Sequence, residues 1–391
     1  MRKPLLLLVF VVSVFGNSCV SSKIIIHNFS DIDDHKIFDE RLVRNQAPAF
    51  HFKKNSSSID LKKLSITLEN NDKVPLDEFL SSRSTKALLV IKDDMILYEN
   101  YFNGYNRRSI VTSFSVAKSF VSALVGIAIQ EGHIQDIRQP LIHFLPELSG
   151  IKGFEKITLK HLLQMTSGVR FDERYRSPVS DVARFYYGSD LTELVKGLSV
   201  EHPPGLVTRY KSVDTQLLGM ALRRATERPL AQYLEEKIWS RIGMESGAIW
   251  SVDESTEGME KAFCCINALA VDFAKFGRLY LRKGNWEGEQ IVPEAWVGES
   301  TQVNTEEGSA WWYQYQWWVD SPSGDFSARG LMGQYIYVNP KYNIIMVRFG
   351  DKDDQRYWPS FFRHLSEHIV DMEEHPELPF FFRELLFQDY F

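Results

Sequence analysis

Cysteine is scarce in this chain of 391 residues: only Cys19, Cys264 and Cys265 occur. Cys264 and Cys265 are neighbours, and adjacent cysteines rarely bridge without strain. A disulfide scaffold is therefore excluded, and the core must stabilise the fold. CxxC, HExxH and histidine-rich tracts are missing as well. No dedicated metal site is expected, and no cofactor. The formal net charge is −6. Without a basic stripe or an arginine-rich segment, nucleic acid is not an expected partner. A transmembrane helix needs about 20 apolar residues, and the longest uncharged apolar run, Pro4 to Phe15, falls short of that.

That short run has another reading. Met1-Arg2-Lys3 supplies positive charge ahead of it, and Gly16-Asn17-Ser18-Cys19 follows where cleavage is expected. The pattern reads as a secretory signal over residues 1–18, so export to the periplasm or cell envelope is expected. A cysteine directly after small residues resembles a bacterial lipobox, although Gly16 stands where leucine is usual. Lipidation of Cys19, which would attach the protein to a membrane, and a plain signal peptide with an incidental cysteine are the two open readings.

Hydrophobic residues make up 44% of the chain and aromatics 13%. A large core is therefore available, and the rings are numerous enough to line a cleft as well. Residues 19–80 are polar and irregular and read as a tether or embracing arm, with a short helix near Leu76 to Leu80. Ala87 to Ile91 and Met95 to Tyr98 flank a polar turn, a β-hairpin signal. Ser119 to Gln130 is apolar nearly all round, as a helix buried on most faces would be. Pro229 opens an amphipathic helix through Trp239, and another spans Ala268 to Arg282. Strand signals return at Trp311 to Val319, Gly333 to Val338 and Asn343 to Phe349, before a helix near Ser360 to Met372. The order predicts an α+β fold: one antiparallel sheet built from both chain ends, flanked by helices, with a mostly helical lobe inserted. The folded domain is expected over 81–375, with a tail over 376–391.

The GxSxG signature of α/β-hydrolases is absent. The alternative for an activated serine is SxxK, which puts a lysine amine one helical turn from the hydroxyl. It occurs at Ser115-Val116-Ala117-Lys118 and at Ser149-Gly150-Ile151-Lys152. Ser149 sits in a polar turn. Ser115 follows a β-like approach, Ile110 to Phe114, and opens the most buried helix, where a solvated lysine has no place. A lysine at its reference pKa of ~10.4 is protonated at pH 7; acting as a base near pH 7 requires a shift of ~3 units, about 4–5 kcal/mol. Desolvation at a buried helix start can supply that. Plain alternatives are a helix N-cap for Ser115 and a snorkelling side chain for Lys118.

Ser-Val-Ala-Lys-Ser-Phe, then Leu162-Leu163-Gln164-Met165-Thr166-Ser167-Gly168, then Tyr210-Lys211-Ser212, resembles the serine β-lactamase-like superfamily. The branch it looks like contains class C β-lactamases, carboxylesterases and 6-aminohexanoate-dimer hydrolases. The resemblance covers roughly Ala87 to Val370 and implies the β-lactamase/transpeptidase-like fold. It also implies that Ser115 is the nucleophile, Lys118 its base partner, and Tyr210 the shuttle that hands a proton to the leaving group. The plain alternative for Tyr210 is a buried tyrosine with a satisfied hydroxyl. The third motif, Lys/His-Thr/Ser-Gly on a strand, is Ala328-Arg329-Gly330 here. Ala328 replaces the cation, and Arg329 should face the other side of the strand. Gly330 keeps the close backbone approach, so the N–H groups of Ser115 and Leu331 are the expected oxyanion hole. Ser212 and Gly330 are expected to bind substrate. In aminohexanoate-type hydrolases a tyrosine in a stretch similar to Phe171 to Tyr175 contacts the substrate amide, which makes Tyr175 a candidate; a surface tyrosine is the other reading. The Cys264-Cys265 pair reads as part of a loop bordering the cleft, with no chemistry assigned. The expected activity is hydrolysis of a small-molecule ester or linear amide through an acyl-enzyme. The alternatives are a β-lactamase or D,D-peptidase, and a non-catalytic acylated sensor on the same fold.

Overall fold

The computed structural model describes Lys23, His27 and residues 29–46, 48–56, 59–68, 71–304, 310–319, 323–352, 358–375 and 381–383. The expected signal segment 1–18, Cys19 and most of the expected tail lie outside these residues. Among the described residues no helix is long and apolar enough to cross a membrane.

An eight-stranded sheet is the frame. Its spatial order is Tyr313–Gln314, Trp317–Val319, Phe326–Gly330, Gln334–Asn339, Ile344–Gly350, Thr85–Lys92, Met95–Tyr101 and Lys53–Lys54. Every pairing is antiparallel except the last, where Lys53–Lys54 runs parallel to Met95–Tyr101. The two chain ends meet where Ile344–Gly350 pairs with Thr85–Lys92, with Val347 opposite Leu89. The mixed α and β content with helix-flanked antiparallel sheet is the β-lactamase/transpeptidase-like fold.

The sheet is buried on both faces, so its strands read as nearly unbroken apolar runs rather than alternating ones. Leu89, Ile91, Ile336, Val338, Ile345 and Val347 face the larger core. There the Ala270–Leu281 helix lies close enough that Gly277 leaves no room for a Cβ, which would come 2.9 Å from both Ile336 and Ile345 side chains. Phe276 on that helix stacks on Phe120 of the Ala117–Gln130 helix at 3.7 Å between centroids. Leu88, Val90, Tyr335 and Tyr337 face a second core, closed by the Leu76–Ser82 and Trp358–Glu374 helices. Each side chain of this size that is fully buried contributes about 1.5–3 kcal/mol, so the sheet faces are the main source of stability.

A second, four-stranded sheet has the order Glu40–Val43, Ala248–Ser251, Ile266–Leu269 and Ile110–Thr112. Its Ile110–Thr112 strand leads directly into Ser115, and its Ile266–Leu269 strand follows the two cysteines. Residues 40–43, 53–54 and 65–67 of the expected arm each form part of a sheet.

Three local expectations are corrected. Trp311 to Val319 is a hairpin rather than one strand, because Tyr315 and Gln316 adopt left-handed backbone, φ +37° and +71°. Distant partners impose that turn: the Gln316 side-chain amide donates to the carbonyls of Leu162 and Leu163 at 3.0 Å each, and Ser119 Oγ donates to the Gln316 carbonyl at 2.8 Å. The amphipathic helix after Pro229 changes to a π turn over Glu235–Trp239. There the Glu235 carboxylate accepts from the Arg44 backbone N–H and the Gln46 amide. Finally, Cys264 and Cys265 are bonded to each other. The expectation that neighbours stay unbridged fails because Cys265 takes a left-handed φ of +74°. Its carbonyl accepts from Ser251 N–H and from the Asn267 amide, which anchor that backbone.

Candidate active site

Ser115 lies in a 3-10 turn, Phe114–Val116, that runs into the Ala117–Gln130 helix. Phe114, directly before it, has φ +40°. A bulky residue rarely holds that conformation, and such outliers cluster at functional sites. The surrounding bonds impose it: Ser113 N–H donates to the Ile266 carbonyl, and Ile266 N–H donates back to Ser113 Oγ.

Lys118, one turn on, is buried, and its Nζ lies 2.8 Å from Ser115 Oγ. It also lies 3.3 Å from Ser212 Oγ and donates to the Phe263 carbonyl at 2.9 Å. Burial pulls the Lys118 ammonium down to about 7, while the negative charge of Glu173 works weakly the other way. The free amine is therefore within reach at neutral pH, as a base must be.

Tyr210 reaches the same place from the segment before the Ser212–Thr226 helix. Its ring lies 5.0 Å from Lys118 Nζ, which in turn reaches Ser115 Oγ. Burial raises the phenol well above its ordinary range, with the Ser115 contact opposing. The Thr166-Ser167-Gly168 turn fixes this segment. Lys211 Nζ donates to Ser167 Oγ and to the Val169 carbonyl, and Ser167 Oγ donates to Asp214 at 2.6 Å. Gly168, at φ +72°, passes so close to His202 that a Cβ would sit 1.9 Å from its carbonyl oxygen.

The end of the Phe326–Gly330 strand presses on the serine turn. A Cβ on Gly330 would come 2.4 Å from the Ser113 carbonyl oxygen and 3.2 Å from Ser115 N, so only glycine fits. Leu331 follows and lines a cavity beside Ser115. Ala328 is wholly buried in the main core, opposite Ile336. Arg329 faces away from it, its guanidinium 4.7 Å over the Trp318 ring. The Trp318 ring in turn stacks on Tyr210 at 5.8 Å.

Glu173 is the residue that sequence reasoning missed. Ser212 Oγ donates to one of its carboxylate oxygens at 2.5 Å and Ser212 N–H to the other at 2.8 Å. Tyr175 also donates its hydroxyl to Glu173, at 2.6 Å. Tyr175 is half-buried and lines the cavity. Ser212 lines it as well, with its hydroxyl engaged between Lys118 and Glu173. Glu173 stands in the polar run Asp172-Glu173-Arg174, which resembles any solvated loop, and its partner is 39 positions away. Spacing alone could not have paired them. Phe263 and Cys264 also border the cavity, while Ser149 and Lys152 of the second SxxK are exposed. Among the described residues, no group of three or more His, Cys, Asp or Glu is placed to hold a metal ion.

The chain is similar to several known proteins. Residues 77–357 match the family described as Beta-lactamase. A 6-aminohexanoate-dimer hydrolase of Paenarthrobacter ureafaciens is 27% identical over 307 residues, covering 72% of this chain and 77% of that protein. A solved structure of a candidate 6-aminohexanoate-dimer hydrolase from Bacillus anthracis has a TM-score of 0.76 at 28% identity, covering 89% of this chain and 94% of that one. A penicillin-binding protein from Bacillus halodurans shares the fold, with a TM-score of 0.59 at 16% identity, covering 74% of this chain and 99% of the other.

Proposed function

The chain belongs to the β-lactamase family and is a serine hydrolase, and on that premise we propose that it cleaves an ester or linear amide through an acyl-enzyme on Ser115. The observation that carries this reading is the buried Lys118 amine 2.8 Å from Ser115 Oγ, with its pKa lowered to about 7. Lys118 takes the Ser115 proton as the oxygen attacks the carbonyl carbon. The resulting oxyanion is held by the N–H groups of Ser115 and Leu331. Tyr210, whose ring lies 5.0 Å from Lys118 Nζ, gives a proton to the departing oxygen or nitrogen and is reprotonated through Lys118. Water then attacks the acyl-enzyme with Lys118 or Tyr210 as base, and Ser115 leaves with its proton restored.

Ala328 favours esters and linear amides over carboxylate-bearing β-lactams and D-Ala-D-Ala peptides. The strand motif of the superfamily places a cation at that position, and here it is a methyl group buried in the core. The test is labelling of Ser115 by a fluorophosphonate, followed by steady-state rates on p-nitrophenyl esters, short linear amides and nitrocefin. Turnover of esters or amides above nitrocefin supports the reading. A stoichiometric burst with no steady state would instead identify an acylated sensor. We extend the proposal to export directed by residues 1–18, with Cys19 as a candidate acylation point; retention of that leader in the mature protein would overturn it.

A further inference from the structure

The cavity beside Ser115 has a one-sided chemistry. Its walls include Phe29, Phe114, Val182, Tyr186, Phe263 and Leu331. Among the described residues, none that lines it is Lys, Arg, His, Asp or Glu. The nearby anion, Glu173, is not one of its walls, and three donors from Ser212 and Tyr175 engage its oxygens. A charged substrate group entering here would lose water and meet no opposite charge on the walls, only hydroxyls such as those of Ser30 and Tyr187, which is costly, whereas a hydrocarbon would gain by burial.

The position of Tyr210 decides which half of the substrate enters. In the proposed reaction Tyr210 protonates the leaving group, and Tyr210 does not line this cavity. It lies on the side of Trp318 and Tyr313. The leaving group departs on that side, so the half that remains on Ser115 occupies the cavity.

One wall comes from far away in the chain. Phe29 and Ser30 line the cavity rim, and the segment behind them is docked to a cavity tyrosine: Tyr186 donates to the buried carboxylate of Asp34 at 3.0 Å. Phe38 packs edge-on against the same Tyr186 ring at 5.1 Å. Beyond it, Glu40–Val43 pairs with Ala248–Ser251. The N-terminal segment is thus fastened where it meets the site.

We propose that this cavity is an acyl pocket for an uncharged, apolar chain, walled in part by the N-terminal segment at Phe29; the proposal rests on the hydrolase reading above and narrows its substrate class. Ala183, half-buried at the pocket, is the place to fill it.

The experiment measures kcat/KM for p-nitrophenyl acetate, butyrate, hexanoate and octanoate, and for the 6-aminohexanoyl ester, whose chain ends in an ammonium. Each methylene that becomes buried is expected to multiply kcat/KM about fourfold until the pocket is full. Hexanoate should exceed acetate at least tenfold, and the ammonium-ended ester should fall at least tenfold below hexanoate. In Ala183→Trp the hexanoate-to-acetate ratio should collapse toward one. Phe29→Ala, at a side chain 45% exposed and so no threat to folding, should lower the same ratio severalfold. A flat chain-length profile, or equal rates for the charged and neutral six-carbon chains, overturns the pocket while leaving the hydrolase reading intact. Ratios unmoved in both variants overturn it too. If no ester is turned over and Ser115 is not labelled, the hydrolase reading fails and the pocket assignment falls with it.

Discussion

Glu173 holds Ser212 with both of its carboxylate oxygens: Ser212 Oγ–H donates to one at 2.5 Å and Ser212 N–H to the other at 2.8 Å. The same hydroxyl lies 3.3 Å from Lys118 Nζ. A continuous set of hydrogen bonds therefore runs from the Ser115 hydroxyl through Lys118 and Ser212 to a negative charge. Ser212 is oriented as the acceptor for the amine, and Glu173 does the orienting.

This arrangement makes Glu173→Gln informative. Burial lowers the Lys118 pKa to about 7, and the Glu173 charge opposes that by favouring the ammonium. Neutralising Glu173 removes the opposing effect, so the Lys118 pKa should fall further. Activity needs the free amine, so kcat/KM rises as pH climbs through that pKa. The acidic limb of the pH profile should therefore start near 7 in the wild type and move to lower pH in Glu173→Gln. A limb that stays in place or moves upward would show that the Glu173 charge does not act on Lys118.

Ser115→Ala should abolish both hydrolysis and fluorophosphonate labelling while thermal unfolding stays near that of the wild type. Removing a nucleophile that works as part of a unit costs on the order of 10⁶ in rate. Ser149→Ala, at an exposed turn, should change neither. The reverse pattern would move the nucleophile to Ser149.

Lys261 has no place in the proposed chemistry, yet it is wholly buried. Its Nζ donates to the Gly188 carbonyl at 3.3 Å and lies 4.7 Å over the Phe38 ring. Burial lowers this ammonium also to about 7, with Asp253 opposing. The sign follows from proton counting. Between about 7 and the unfolded lysine value of about 10.5 the unfolded chain binds the proton and the folded chain does not, so folding is penalised at pH 7 and stability rises with pH through that window. Lys261→Met removes the penalty and loses one long hydrogen bond and a ring contact, so a net gain on the order of 1–3 kcal/mol is expected at pH 7. Urea unfolding at pH 7 and pH 9 checks both parts: Lys261→Met should be the more stable at pH 7, and the advantage should shrink at pH 9. A less stable variant at pH 7 would mean that the Gly188 and Phe38 contacts outweigh desolvation.

Much of this was legible in the chain, for physical reasons that differ by residue. Ser115 and Lys118 stood out because a lysine at the start of an all-apolar helix has no solvent to reach. Tyr210 followed from its order after the Thr166-Ser167-Gly168 turn, and the Lys211 and Ser167 bonds show why that turn and that tyrosine travel together. The sheet strands announced themselves by apolar runs. Contacts between distant residues left no such trace. The left-handed turn at Tyr315 and Gln316 is imposed by carbonyls of Leu162 and Leu163, with no glycine or asparagine to mark it. Glu173 looked like loop charge until the fold brought Ser212 to it. The Cys264–Cys265 bond depends on a backbone conformation that spacing argued against.

Arg329 carries the last expectation. The strand pairing is unbroken through Ala328–Ile336, Arg329–Tyr335 and Gly330–Gln334, so no bulge turns Arg329 into the place of the missing cation. Its Nε donates to Ser327 Oγ at 2.9 Å, and Trp318 contacts both its guanidinium and the Tyr210 ring. A substrate carboxylate held by a direct cation would gain a charge-assisted bond of about 1.5–3 kcal/mol, or ~10–150-fold in affinity. Without one, wild-type kcat/KM for nitrocefin should lie at least tenfold below that for p-nitrophenyl butyrate. Restoring the cation with Ala328→Lys is a poor test, because that side chain is wholly buried among apolar neighbours and an ammonium there would cost stability. Arg329→Ala is the better one. Loss of the guanidinium loosens Trp318 against Tyr210 and should slow both substrates by a similar factor, since both need the same proton transfer. The nitrocefin-to-butyrate ratio should therefore stay nearly constant. A drop in that ratio of tenfold or more in Arg329→Ala would identify Arg329 as the carboxylate partner and return carboxylate-bearing β-lactams to the substrate range.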